Sequence, residues 1–408
     1  MPTNPSFVIV GASLAGAKAA EALRENAFTG SITLIGDETD RPYERPPLSK
    51  DYLQGKAERD SVFVHPEGWY AEHDVDLRLG ASVTAIDPAA HQVTLADGQT
   101  VPYDKLLLAT GSSPRILQVP GSDLAGIHYL RRLADSDKIR EAFAQGGRVV
   151  VIGAGWIGLE TAAAARAAGL EVTVLEMGAL PLLNVLGPEL AQVFADLHSR
   201  NGVDLRFGVN VAQIVAAGGK ATGVLLGDGT TVPADIVLVG VGITPNVALA
   251  EQAGLEVRNG IAVDAGLRTS DPDIFAAGDV ANARHPRLGT SIRVEHWANA
   301  LNQPAIAAKS MLGQDVVYDR TPYFYSDQYD LGMEYTGYVE RGGYDRVVVR
   351  GDLDTLEFIA FWVRDGRVLA GMNVNVWDVT DQIKALVESG RVVDLDKLAD
   401  PAVPLDSL

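Results

Sequence analysis

The stretch "RVVVIGAGWIGLE", from Arg148 to Glu160, decides how this chain is read. Its apolar run predicts a buried strand, and Gly153, Gly155 and Gly158 follow at the Gly-x-Gly-x-x-Gly spacing. The alanine-rich "TAAAARAAG" beyond them predicts a helix. The first glycine allows a tight turn, the second lets backbone approach a pyrophosphate, and the third lets helix pack on strand. The helix start then offers unpaired N–H groups to the phosphates. A second strand, "LEVTVLE", closes at Glu176, 23 residues after Gly153. That is where an acid is expected to accept hydrogen bonds from an adenine ribose. No Lys or Arg stands in the following "MGALPLLNVLG" to balance a 2′-phosphate, so NADH is expected rather than NADPH.

A second, degenerate copy opens the chain. "FVIVGASLAGAKAAEALRE" has Gly11, Ser13 and Gly16 in the three positions, and "SITLIGD" ends at Asp37. Serine adopts a positive φ less cheaply than glycine, so Ser13 is the weak point of this copy. Two such units predict an α/β fold with two parallel, Rossmann-like dinucleotide-binding domains. From about Tyr318 the pattern turns aromatic and β-branched ("PYFYSDQY", "LEFIAFWV"), which predicts an antiparallel sheet closed by a helix near Asp381 to Ser389, a C-terminal α+β domain.

Composition narrows the chemistry. In 408 residues, 47% of them apolar, there is no cysteine, which excludes disulfide chemistry, thiolate nucleophiles, Cys-ligated zinc and protein-held iron–sulfur clusters. Any redox step therefore needs a bound organic cofactor. A formal net charge of −19 argues against nucleic acid as a partner. The N-terminal "MPTNPSF" has no basic leader pattern, and apolar runs stop short of the roughly 18 residues of a membrane span, so a cytoplasmic protein is expected. No metal site is expected.

Two further strand ends, "KLLLATG" (Ala109, Thr110, Gly111) and "DIFAAGD" (Gly278, Asp279), complete a set. With "RPPLSK", "GAGWIGLE", "GVGITPN" and "FYSDQYD", in order over nearly the whole chain, they resemble the FAD-dependent NADH:ferredoxin reductases of bacterial oxygenase systems, of the putidaredoxin-reductase and biphenyl-dioxygenase-reductase type. "ATG" is common to many two-dinucleotide flavoproteins, whereas "RPPLSK" with "SDQYD" is much more specific.

The resemblance implies a glutathione-reductase-like fold: an FAD domain over 1–112 and 243–317, an NADH domain over 113–242, and an interface domain over 318–408 whose "PYFYSDQYD" faces the FAD domain. It implies that Gly11, Ser13, Ala15, Gly16, Asp37, Lys50, Val83, Ala109, Thr110, Gly111, Arg131, Gly278, Asp279 and Trp297 serve FAD. Gly153, Gly155, Ile157, Gly158 and Glu176 serve NADH, and Gly242, where the chain returns from the NADH domain to the FAD domain, lies near the cofactors. It further implies a catalytic Lys50–Glu160 pair between the two cofactor domains. Pro304 departs from a good helix, so the helix at Trp297 is expected either to start later or to bend. The implied activity is hydride transfer from NADH to FAD and single-electron transfer to a [2Fe–2S] ferredoxin that feeds a cytochrome P450 or dioxygenase. The implied state is a monomer.

The pattern has three rivals. A disulfide or thiol-based reductase needs a cysteine that is missing. A type-2 NADH:quinone reductase needs a membrane-seeking C-terminal helix, which the acidic "VVDLDKLADPAVPLDSL" does not supply. A flavin-binding regulatory protein would bind without turnover. Docking of an acidic ferredoxin predicts a local basic surface, with Arg284, Arg287, Arg293 and Arg320 as candidates.

Overall fold

A computed structural model describes residues 4–408; Met1 to Thr3, the start of the stretch read above for a leader, lie outside them. The chain divides into two compact units, each discontinuous in sequence. Among the described residues the first comprises 4–45, 58–113 and 243–320, and the second 46–57, 114–242 and 321–408.

The first unit is built on a five-stranded parallel sheet. Its order is Ile274–Ala276, Lys105–Leu108, Ser6–Val10, Ser31–Ile35, Val75–Arg78. The sheet is parallel and covered on both faces, so its strands are continuous apolar runs rather than alternating ones. Val8, Ile9, Leu34, Leu106, Leu107 and Ile274 are all inaccessible.

The second unit repeats the plan with the order Val203–Phe207, Glu171–Glu176, Arg148–Ile152, Ile236–Val239, Ile127–Tyr129. In both units the strand before the glycine turn is central. In both, counting from the strand before the glycine turn, a three-stranded antiparallel sheet lies in sequence between the third and fourth strands: Val83–Asp87 to Thr100–Pro102 in one, Val211–Ala217 to Thr231–Pro233 in the other. The duplication thus extends well beyond the turns that betrayed it in the sequence.

Residues 321–408 form a five-stranded antiparallel sheet ordered Tyr323–Gln328, Leu331–Gly337, Arg367–Val374, Glu357–Arg364, Arg346–Asp352, with the helix Thr380–Ser389 after it. One apolar core runs from Val149, Leu159 and Phe194 to Met333, Phe358 and Trp362, so this sheet and the second parallel sheet share a single interior. Among the described residues no helix is long and apolar enough to cross a membrane.

Candidate functional site

Both glycine turns are fixed by sterics. Gly11 (φ +117°) and Gly153 (φ +100°) occupy backbone that L-residues rarely adopt, and each donates its N–H to the neighbouring strand, to Ile35 O and Leu175 O, at 2.8 Å. A Cβ on Gly11 would meet the carbonyl oxygen of Ala109 at 2.1 Å, and one on Gly153 that of Gly240 at 2.4 Å. A Cβ on Gly16 or Gly158 would strike the carbonyl oxygen of the first glycine of its own turn, at 2.0 and 2.1 Å.

The middle position is different. Gly155 has φ −80° and ψ −179°, ordinary extended backbone, and a Cβ there would meet nothing within 4 Å. Folding therefore makes no demand for glycine here, and the space beside Gly155 in front of the helix Trp156–Ala167 is open. Ser13 occupies the matching place before the helix Leu14–Glu25, with φ −121° and ψ −164°. Serine is handicapped only at a positive φ, and this position requires none. The Ser13 side chain makes no capping bond to its own helix. Both cradles fit a pyrophosphate at a helix N-terminus.

The ribose acids are not equivalent. Glu176 accepts from Ala154 N at 2.8 Å and Gly178 N at 2.7 Å, so its carboxylate is held at the turn by two backbone donors. By strand register the match to Glu176 in the first unit is Gly36, where a Cβ would meet Ala12 Cβ at 2.5 Å. No side chain fits, and the acid moves one place on, to the exposed Asp37. Phe207 pairs with Glu176. The adjacent Arg206 alternates to the other face of the sheet and is bonded to Asp204 at 2.9 Å, so it brings no cation to the Glu176 side.

In the first unit the strand ends converge. The Thr110 hydroxyl donates to Asn246 O at 2.8 Å, while the Asn246 amide donates to Thr110 O at 2.8 Å and its backbone N–H to Gly111 O at 2.9 Å. Asn246, from "GVGITPN", thus clamps "ATG", a role its sequence did not announce. Gly278 lies against Ala15, its Cβ position 3.2 Å from the Ala15 methyl, and its N–H donates to the buried Gln303 at 2.9 Å. Asp279 follows, half-buried. The helix Trp297–Met311 does begin at Trp297 and runs through Pro304, which leaves the Ala300 carbonyl without its intrahelical donor. Trp297 Nε1 donates to Glu44 Oε2 at 3.1 Å. Val83 begins its strand at the edge of this unit's core.

Lys50 and Arg131 belong to the second unit, as do Gly153, Gly155, Ile157, Gly158, Glu160, Glu176 and Gly242. Arg131 leads into the helix Leu133–Ala144, its N–H on Asp135 at 3.1 Å. Gly242 has φ +97° and accepts from Arg115 N at 2.9 Å. Ile157 is 45% exposed, and Met177, directly after Glu176, is 73% exposed.

The Lys50–Glu160 pair forms, with Nζ 2.9 Å from Oε1, and both partners lie in the same unit. Glu160 is 4% exposed. It also accepts from the Ser49 hydroxyl on Oε2 and from the Ser326 hydroxyl on Oε1 at 2.7 Å. A buried carboxylate is tolerable only when paired and hydrogen-bonded, and this one is both. The Lys50 ammonium also lies 5.4 Å from the Tyr325 ring centre. The basic surface expected from four arginines is reduced. Arg293 is engaged by Glu295, Asn259 and the Asp279 carbonyl, and Arg287 pairs with Asp319 at 3.6 Å. Arg284 and Arg320 remain exposed.

Comparison with known proteins finds two family matches: pyridine nucleotide-disulphide oxidoreductase over residues 5–303, and reductase C-terminal over 323–408. The chain is 43% identical to the anthranilate 1,2-dioxygenase system ferredoxin–NAD(+) reductase component of Burkholderia cepacia, over 99% of each chain. It is 40% identical to the putidaredoxin reductase of Pseudomonas putida, over 100% of this chain and 97% of the other. Among solved structures, the covalent putidaredoxin reductase–putidaredoxin complex matches with a TM-score of 0.95 and 40% identity, covering 99% of this chain and 98% of that one.

Proposed function

The chain belongs to the pyridine nucleotide-disulphide oxidoreductase family, and from that membership we propose that it is a cytoplasmic NADH-dependent, FAD-containing reductase of a [2Fe–2S] ferredoxin serving a cytochrome P450 or ring-hydroxylating oxygenase. One observation carries the reading: a family named for disulphide chemistry is represented here by a chain with two nucleotide cradles and no cysteine. Electrons cannot leave through a thiol pair. They must pass from the flavin to an external acceptor, and the relatives are named as a ferredoxin–NAD(+) reductase component and a putidaredoxin reductase.

When bound, FAD supplies the chemistry, taking a hydride from NADH and releasing electrons singly. The residues of the chain bind and orient. Gly11, Ser13, Ala15 and Gly16 would hold the FAD pyrophosphate, with Asp37 at its adenine ribose, Val83 and Arg131 as further contacts and Asp279 at its ribityl chain. Ala109 to Gly111, clamped by Asn246, would shape the wall of that cradle. The helix at Trp297 would direct its positive end at the flavin. Gly153, Gly155 and Gly158 would hold NADH, with Glu176 at its ribose and the exposed Ile157 and Met177 offering apolar surface to its rings. Gly242 lets the chain turn back from this cradle. Lys50, fixed by Glu160, would present a cation where negative charge accumulates on the reduced cofactor.

The test is to purify the protein, record flavin absorbance, and follow reduction by NADH and NADPH, then of a [2Fe–2S] ferredoxin. NADH reduction with ferredoxin-dependent cytochrome c reduction is expected. NADPH preference would overturn the role of Glu176, and turnover with quinone but not ferredoxin would overturn the acceptor. Lys50→Met is expected to slow flavin reduction while leaving FAD bound.

A further inference from the structure

Behind the Lys50–Glu160 pair runs a line of buried polar side chains that the proposed hydride step does not itself require. The Ser326 hydroxyl donates to Glu160 Oε1 at 2.7 Å, the Gln328 amide donates to Ser326 Oγ at 3.1 Å, and Gln328 Oε1 lies 2.8 Å from His198 Nε2. The Tyr329 hydroxyl lies 3.2 Å from His198 Nδ1. Ser326 and His198 are wholly inaccessible and Gln328 is 1% exposed. They sit among Phe194, Leu197, Leu331 and Met333, where aliphatic residues would pack.

The direction of every bond can be assigned. Gln328 Oε1 is an acceptor only, so His198 Nε2 must carry the proton. Burial holds the imidazole neutral well into the acid range, with its pKa down at about 4, so Nδ1 is bare and accepts from Tyr329. All four donors therefore point one way: tyrosine to histidine, histidine to glutamine, glutamine to serine, serine to carboxylate. Chains aligned in this sense polarise one another and are strongest when they end on an anion.

Local structure agrees. Ser326 and Gln328 alternate to the same face of one strand, while Asp327 between them faces away. The strand then turns through Tyr329 at φ +57°, a conformation in which a bulky aromatic residue is an outlier. That strained residue is the one that places the last donor of the line.

We propose that Ser326, Gln328 and His198 are positioning residues for Glu160, a one-way hydrogen-bond relay from the C-terminal sheet that fixes which carboxylate oxygen faces Lys50. The proposal rests on the reading of Lys50 and Glu160 as the pair that serves hydride transfer. The other charges around the cluster are Asp327, with Asp51 and Glu334 behind it, and Arg166 opposite Tyr329.

The holoenzyme, with glutamate 13C-labelled at Cδ, gives the readout, Glu160→Gln identifying the resonance. Gln328→Leu and His198→Phe break the relay two and three bonds from the carboxylate without touching it. Both are expected to displace the Glu160 resonance and to slow reduction of the flavin by bound NADH roughly tenfold with KM unmoved, the loss of about one charged hydrogen bond. His198→Gln restores a donor toward Gln328 and is expected to recover most of both effects. Folded variants with lower melting temperature but an unmoved resonance would reduce the line to core filling and overturn the proposal. If neither variant folds, 15N spectra of His198 in the unaltered enzyme decide: Nε2–H at neutral pH supports the relay, and Nδ1–H overturns it. Both spectra are recorded without NADH. A failure of NADH to reduce the unaltered enzyme would therefore sink the proposed function while leaving the relay to be judged separately.

Discussion

Gly153 and Gly155 stand two residues apart in one motif, yet the structure assigns them opposite kinds of necessity. At Gly153 an alanine would have to hold φ +100° and place its methyl 2.4 Å from the Gly240 oxygen, a backbone atom that cannot rotate away. The backbone conformation costs about 1–2 kcal/mol and the overpacking about 1–3 kcal/mol, so Gly153→Ala should lose about 3 kcal/mol of stability. In thermal unfolding that is a fall of about 5–10 °C. At Gly155 the same substitution meets nothing within 4 Å at φ −80°. It should be neutral, or stabilise by about 0.4–1 kcal/mol through the unfolded chain. Its effect should fall on the nucleotide, with NAD(H) affinity lower by roughly tenfold as the methyl enters the cradle. Melting curves without nucleotide and an NADH titration of each variant separate the two. Equal destabilisation by both, or an undisturbed NADH affinity in folded Gly155→Ala, would refute the assignment of this space to a ligand.

Other outcomes follow from the same geometry. Replacing Glu176 with alanine should remove the preference for NADH over NADPH and free the Ala154 and Gly178 N–H groups, measured as the ratio of kcat/KM values. Ser13→Gly should leave melting unchanged, because the hydroxyl caps nothing, but weaken FAD binding by roughly tenfold if that hydroxyl meets a phosphate oxygen. Unchanged affinity would mean that only its small size matters. Stability should fall with acid, because burial pushes His198 and His296 down to about 4 from the ordinary histidine value. Their contribution is complete above about pH 6.5 and is lost as the pH falls toward 4, since the unfolded chain binds protons that the folded one refuses, by up to about 3 kcal/mol each. Denaturant titrations should show a shallower pH slope in His198→Gln.

What was legible in the sequence was whatever leaves a short-range signature. The glycine turns, the strands around them and the end of "EVTVLE" announce themselves because a tight turn and a buried parallel strand admit few residue types. In the sequence Pro304 argues against an unbroken helix from Trp297, yet a helix eight residues in can lose one bond where packing holds it; Gln303, Pro304, Ala307 and Ala308 are all buried. Gly36 shows what spacing leaves out. Spacing points to Asp37 as the acid of the first copy, and only strand register reveals why it stands one place on: the matching position is closed by Ala12. Asn246 and Gln303 were invisible because their partners, at Thr110, Gly111 and Gly278, are distant along the chain.

The stretch "YSDQYD" sharpens that distinction. Read as sequence it was an aromatic strand, and its alternation of Ser326 and Gln328 carried no signal, because serine and glutamine on one face ordinarily mean a face toward water. Here both side chains are buried, and the reason lies elsewhere in the chain: Glu160 on a helix after the second glycine turn and His198 on the helix Pro188–Arg200. A carboxylate placed in a core must be compensated from every side. Lys50 and Ser49 do so from the proline-rich loop, and the C-terminal sheet does so through Ser326. If the sheet served only to cover the second parallel sheet, apolar residues at 326 and 328 would do so at less cost in desolvation. That polar residues stand there instead, ordered toward one oxygen of one carboxylate, ties the third segment of the chain to the chemistry of the second.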